Sequence, residues 1–343
     1  MLKKHRRLSA AAAAAVTLVL GLTACGTDST AEAGSEETTA AAEGTVTVQS
    51  LALEDEATEV VDVEVSVPPQ NVVITDNRLF QTASDWGIEL VAAPRALMPS
   101  TNPMKENEEI IDLGSHNEPD LESIVAAEPG LIISGGRFAQ YADDFAELAP
   151  EADSVNLDVR EDEPLDEGLV RQIEAMGLMF DKEEESAALV EDFDAAVERV
   201  KAAYDPEDTV MSVLTSGGEI SYVAPSTGRT LGPIYDWAGL TPALEQQAED
   251  TSHGDDISVE AIAQSNPDWI LVMDRDAAIS TATEDPAYKP ANELLANSAA
   301  LQNVTAVQEE NILYMPQDTY TNESIQTYTT YLNQMADAFE QNG

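Results

Sequence analysis

The chain has 343 residues, with 16 Lys+Arg against 65 Asp+Glu and a formal net charge of −49. So strong a negative field excludes nucleic acid as a partner and opposes docking on anionic lipid. The single cysteine excludes an intrachain disulfide.

Residues 1–25 read as an export signal. Lys3, Lys4, Arg6 and Arg7 form a basic cluster, and an Ala/Leu/Val run follows at 9–22. That run is too short for a membrane span. Leu22-Thr23-Ala24-Cys25 resembles a bacterial lipobox, which implies cleavage before Cys25 and lipid attached to it. Four of the basic residues precede Cys25 and no acid does, leaving 12 Lys+Arg against 65 Asp+Glu in the mature chain. Residues 26–44 are Thr, Ala, Ser, Glu and Gly without apolar periodicity, the composition of a disordered tether. An anchor and a tether place the protein on the extracytoplasmic face of a membrane it does not span.

The remainder is long enough for two lobes, expected at 45–180 and 205–343 with a helix at 181–204 between them. Residues 45–65 alternate apolar and polar as in a hairpin. A buried strand is expected at 71–75 (NVVIT), a helix at 78–87 and a strand at 88–92. Residues 145–157 read as a helix end followed by a strand, and 166–179 as a helix. The longest helical pattern, 182–204, carries Leu189, Val190, Phe193, Ala196, Val197 and Val200 on one stripe, and Asp205-Pro206 ends it. The α/β pattern then restarts, with strands at 209–214 and 221–224, a helix at 230–238, a strand at 312–315 and a closing helix at 323–339.

One stretch occurs twice. LESIVAAEPGLIISGGR (121–137) aligns without a gap on VEAIAQSNPDWILVMDR (259–275), at a constant offset of 138 residues. Glu122 falls on Glu260, Ile124 on Ile262, Pro129 on Pro267 and Arg137 on Arg275. Each copy reads as a short amphipathic helix, a Pro stop, and an apolar strand ending in arginine. In open α/β sheets ligands bind beyond the carboxyl ends of the strands, so the repeat aims one Arg at a ligand from each half.

A lipobox, two α/β lobes and a single long connecting helix resemble the solute-binding lipoproteins of bacterial ABC importers. They fit the helical-backbone class that carries ferric siderophores, haem and cobalamin. Four stretches carry a closer likeness to catecholate-siderophore binders: EPDLESIVAAEPGLIISGGR (118–137), APSTGRTLG (224–232), SHGDDISVEAIAQSNPDWILVMDR (252–275) and ILYMPQDTYT (312–321). The likeness covers about residues 45–343. It implies a bilobal α/β fold and three ligand-binding arginines, Arg137, Arg229 and Arg275. It implies His253 and Tyr320 as direct Fe(III) ligands when the siderophore is tetradentate. It also implies that Glu122 and Glu260 meet arginines on a dimeric ABC permease. Iron enters as cargo, no intrinsic cofactor is expected, and the protein is expected to be a monomer.

The chemistry agrees with this reading. A ferric tris-catecholate is trianionic and aromatic. Guanidinium groups supply charge, directed N–H donors and a flat stacking face, and three of them balance a trianion. Hard Fe(III) favours anionic oxygen donors such as a phenolate. Tyr222 is a further cleft-lining residue, Trp237 is expected in the core, and His116, which lies in no motif, is expected to be structural. Zinc transport needs several His ligands, and the mature chain has only His116 and His253. No nucleophile elbow, CxxC or P-loop supports an enzyme. Haem is the alternative cargo, since Tyr and His are axial ligands. A non-transporting adhesive lipoprotein would leave the arginine-terminated repeat unexplained.

Overall fold

The computed structural model describes residues 44–53, 59–160, 163–246, 254 and 258–342. The signal, Cys25, nearly all of the tether, and His253 lie outside the described residues. Thr45 and its neighbours do form a hairpin: β1 (Gly44–Leu51) pairs antiparallel with β2 (Val60–Val67). The hairpin joins a mixed sheet through a bridge from Leu51 to Asn156. That sheet contains β3 (Val72–Ile74), β4 (Leu90–Ala93) and β5 (Ile111–Asp112). A small hairpin, β6 (Gly114–Ser115) with β7 (Glu118–Pro119), stands off it, and β8 (Leu131–Ser134) and β9 (Asp153–Asn156) complete it. The strand order is β2-β1-β9-β8-β3-β4-β5, and the pairs from β9 to β5 are parallel.

The second sheet has β10 (Thr209–Ser216), β11 (Glu219–Val223), β12 (Thr241–Pro242), β13 (Trp269–Asp274) and β14 (Ile312–Tyr314). Its order is β11-β10-β13-β14, with β12 beside β10; only the β10–β11 pair is antiparallel. Alternation along its central strands fills both faces. Val210, Leu214, Trp269, Leu271 and Met273 join the main core, and Met211, Val213, Ile270 and Val272 join a second cluster on the other face. This is an α/β protein of two lobes, as the repeat implied.

The repeat is structural as well as textual. Helices Glu122–Ala126 and Val259–Ser265 each bury one isoleucine, Ile124 and Ile262. After each, the residue before the proline turns left-handed, Glu128 and Asn266 both at φ 45. Strands β8 and β13 then start at equivalent positions and lie parallel between neighbours inside their sheets.

Between the sheets runs the helix Glu183–Ala203. Glu183, Glu184 and Glu185 sit in its first turn and Lys201 in its last, matching its dipole at both ends. Its stripe buries Phe193, Ala196 and Val200, with Leu189, Val190 and Val197 packed beside them. It lies against the closing helix Ile325–Asn342, where Arg199 bridges Asp337 at 2.5 Å and Glu340 at 2.7 Å. Phe193 meets Trp237 edge-on at 5.4 Å, and Trp237 meets Tyr328 at 5.1 Å. These three rings weld connecting helix, second lobe and closing helix into one core. No helix of the described residues is long and apolar enough to cross a membrane.

Phe193 is 2% exposed at this joint. Phe193→Ala is expected to destabilise the protein by about 3–5 kcal/mol, the usual cost of a buried Phe truncation, read from the urea midpoint at unchanged slope. A loss below about 1 kcal/mol would show that the joint is not closely packed.

Candidate functional site

The arginines are placed by the turns that follow strands. β8 ends at Ser134, and Gly135 and Gly136 carry the chain past Asp76 into a short 3-10 turn, Gly136–Tyr141. A Cβ at Gly135 would stand 2.5 Å from Asp76 Oδ2, and Gly136 has φ +56, so both positions need glycine. Asp76 is wholly buried and is held by Arg78 and by Gln172 Nε2 at 2.8 Å. Arg137 is thereby fixed at the strand's end. Arg275 follows β13 directly; its amide donates to Thr215 O at 3.0 Å, which pins it to β10. Arg229 lies in the tight APSTGRT loop. There Gly228 packs on Ala224, and Thr230 adopts φ +64, an uncommon conformation for a β-branched residue.

All three guanidinium groups converge on one side chain. The Tyr320 ring centroid lies 4.8 Å from Cζ of Arg137, 4.4 Å from that of Arg229 and 4.9 Å from that of Arg275. Each is within cation–π range. Tyr320 is 5% exposed, in the short helical turn Thr319–Thr321 after β14. Burial pushes its hydroxyl up. A hydrogen bond from Arg275 and the charges of the three arginines outweigh burial, leaving it below its ordinary value. The site therefore draws Arg137 from the first lobe and Arg229, Arg275 and Tyr320 from the second.

The arginines differ in their partners. Arg229 is clamped by Glu323, Nε to Oε1 at 3.1 Å and Nη2 to Oε2 at 2.5 Å, and Thr230 Oγ1 donates to the same carboxylate. Arg275 Nη1 meets Asp276 Oδ1 at 3.1 Å and Ser216 Oγ at 3.2 Å. Among the described residues Arg137 forms no ion pair, and burial together with the Arg229 charge lowers its pKa. Among the described residues, Arg137 Nη2 and Arg275 Nε are buried with no acceptor in hydrogen-bond range. Sequence reasoning assigned three free positive charges here. The structure corrects that, because Glu323 and Asp276 each neutralise one. A glutamate opening a helix reads as a dipole stabiliser, so nothing in the pattern set Glu323 apart.

One further placement differs from expectation. Tyr222 does not line the cleft. It is 1% exposed in the second cluster, its hydroxyl donates to Leu244 O at 2.9 Å, and its ring is core. The period-two pattern of β11 left its face undecided, and the inward face won. His116, expected to be structural, lies near Arg137. It sits in the turn between β6 and β7, and its carbonyl accepts from Tyr141 Oη at 2.8 Å. Burial and the nearby Arg137 charge lower its pKa, and its Nδ1 is buried without a partner. Trp237 is core, as its aromatic neighbours require. Glu122 and Glu260 are both exposed in the first turns of their helices.

A cavity of about 350 Å³ between the lobes is lined by Arg78, Arg137, Arg229, Glu323 and Tyr328, among others. A larger groove of about 740 Å³ runs along the connecting helix, but Glu174, Glu183, Glu191, Asp194 and Glu198 rim it, a poor setting for an anion.

Glu323 gives a titratable test of the site. Burial pushes its carboxyl up, but the charge and hydrogen bonds of Arg229, the Arg78 charge and the Thr230 hydroxyl hold it at about 2, against an ordinary 4.5. A carboxyl depressed on folding contributes stability that is present above its unfolded pKa and lost as pH falls through the folded one. Glu323→Gln is expected to be less stable at neutral pH yet to lose less stability between about pH 5 and pH 2, by urea titration at each pH. Equal acid slopes for parent and variant would show that this carboxylate does not titrate with folding.

Comparison with known proteins agrees with this architecture. A petrobactin-binding protein of Bacillus subtilis (strain 168), YclQ, is 26% identical over 332 residues, covering 95% of this chain and 97% of its own. The ferric-anguibactin-binding protein FatB of Vibrio anguillarum is 26% identical over 242 residues, covering 70% of this chain and 74% of its own. Among solved structures, a TroA-like periplasmic binding protein of Xylanimonas cellulosilytica superposes with a TM-score of 0.69 at 26% identity, over 86% of this chain and 100% of that one. The family model described as periplasmic binding protein matches residues 72–319, most of the chain, and the protein belongs to that family.

Proposed function

We propose that the protein is the solute-binding component of an ABC importer and carries a ferric siderophore of catecholate type between its lobes. The observation that carries this reading is the convergence of three guanidinium groups, one from the first lobe and two from the second, on Tyr320. Flat cations with free N–H groups suit a flat, oxygen-rich anion. The names of the two relatives, one petrobactin-binding and one ferric-anguibactin-binding, support the same class of cargo. Iron arrives within its chelate. Where the chelate leaves coordination positions open, Tyr320 supplies a phenolate oxygen whose ionisation the surrounding arginines favour, and His253 an imidazole nitrogen. Cys25 carries the lipid that holds the protein at the outer face of the membrane, and residues 26–44 give it reach.

The test is binding by the protein in detergent micelles, read from tryptophan quenching by ferric siderophores and from the visible spectrum. A ferric catecholate absorbs broadly in the visible, whereas a Soret band on addition of haem would favour the haem reading. Arg137→Ala, Arg229→Ala and Arg275→Ala are each expected to cost about 2–4 kcal/mol of binding. Arg160→Ala and Arg171→Ala are expected to be near neutral, because both side chains face Glu163, at 2.6 and 2.8 Å, within the first lobe. Equal weakening in all five variants would overturn the cluster.

Glu122 and Glu260 fit a twofold partner. They occupy equivalent positions in the two repeat copies and are exposed, so each lobe presents the same contact to one half of a dimeric permease. The double variant Glu122→Ala, Glu260→Ala is expected to keep siderophore affinity and thermal midpoint but to lower uptake in cells sharply. The pair Glu184→Ala, Glu245→Ala controls for bulk charge, and an equal loss of uptake there would rule the specific contact out.

A further inference from the structure

The charge of the cleft is smaller than its arginines suggest. Glu323 takes the Nε–Nη2 edge of Arg229 with both its oxygens, and Asp276 pairs with Arg275. Among the described residues Arg137 alone of the three brings a charge with no carboxylate attached. Arg78, the next nearest cation, is already shared between Asp76 at 3.3 Å and Asp158 at 3.0 Å. Among the described residues, three positive charges thus face the ligand accompanied by two negative ones, and Arg78 comes with two carboxylates of its own.

Neither carboxylate is free to leave when a ligand enters. Glu323 is 8% exposed and also accepts from Thr230 Oγ1 at 2.5 Å. Asp276 holds the β10–β11 turn, with its Oδ2 accepting from the Gly217 amide at 2.6 Å and its Oδ1 from Ser216 Oγ at 3.2 Å. Swinging either away would strip backbone or hydroxyl donors as well as a guanidinium. Both counter-charges are fixed parts of the site. A half-buried cleft screens charge weakly, so each ligand charge beyond the one that Arg137 compensates is opposed by desolvation and by these carboxylates.

We propose that Glu323 and Asp276 set the ligand charge that the cleft accepts, so that a ferric complex with a single net negative charge is bound in preference to a trianionic one. This rests on the ferric-siderophore reading above. Fe(III) held by two catecholates is monoanionic and keeps two coordination positions open; held by three, it is trianionic and saturated. The site as built matches the first.

The experiment titrates the protein, in detergent micelles, with the ferric complexes of a synthetic bis-catecholate and a synthetic tris-catecholate built on the same linker. Fluorescence quenching gives both affinities, and their ratio is the readout, because a merely structural role for either carboxylate would weaken both ligands together. The parent is expected to prefer the bis-catecholate by about tenfold or more, the scale of one uncompensated charge contact. Glu323→Gln and Asp276→Asn are each expected to shift the ratio toward the tris-catecholate by about fivefold, with circular dichroism reporting the fold. Asp276 lies in the short turn Asp276–Ala278, apart from the Glu323 pair, so Asp276→Asn serves even if Glu323→Gln fails to fold. A parent that binds the tris-catecholate as tightly, or a ratio that no folded variant moves, would overturn the charge selection while leaving ferric-siderophore binding in place. Failure of the parent to bind either complex would overturn the ferric-siderophore reading, and the selection with it.

Discussion

The ion pair between Arg229 and Glu323 is the contact on which the rest of the site depends. Both groups are largely buried, and an unpaired charge in such surroundings costs several kcal/mol. The pair is tolerated because both carboxylate oxygens meet the Nε–Nη2 edge of the guanidinium, with Thr230 completing the acceptor's shell. That requirement fixes the left-handed Thr230, the tight loop before it and the start of the closing helix at the same time. Arg229 Nη2 also reaches the Tyr320 carbonyl at 3.4 Å, so the ring onto which the other arginines fold is held by the same residue.

Electrostatics on two scales meet here. The molecule as a whole is strongly acidic, and its surface repels anions at a distance. Within the cleft, four arginines crowd a small volume and most of their charge is neutralised in place. Screening over about 8 Å at physiological salt separates the two regimes. The outer field acts at long range, and the paired and unpaired guanidinium groups set the local one.

The repeat was the part of the fold most fully legible in the sequence, because each copy obeys local rules that stand close together. An amphipathic turn, a proline stop and a buried strand are read from neighbours in sequence. The left-handed turns of Glu128 and Asn266 just before each proline were not read there, since a following proline by itself favours extended backbone. The strands and long helices likewise lie within a few residues of where their periodicity put them. The arginines and Tyr320 came through resemblance in motif order, and the structure brings them together. What stayed hidden was pairing across sequence. Glu323 is 94 residues from Arg229, and no periodicity connects them. Tyr222 alternates correctly but faces the covered side, where its hydroxyl meets the backbone of Leu244 and Gln246, 22 and 24 residues away. His116 has no motif, and only the fold sets it beside Arg137.

The lobes are tied at their base as well as joined by a helix. Asn77 Nδ2 donates to Thr321 O at 3.3 Å, Gln326 Nε2 donates to Thr82 Oγ1 at 3.0 Å, and Thr101 Oγ1 donates to Asp318. All three ties lie close in sequence to Tyr320, between the first lobe and the start of the closing helix. Each is worth on the order of 1 kcal/mol, and together with the aromatic weld they make large hinge motion expensive. A receptor that is stiff at its base gains affinity by losing little entropy on binding, and it opens seldom by thermal motion alone. On the importer reading proposed above, the work of spreading the lobes falls to the partner that grips them.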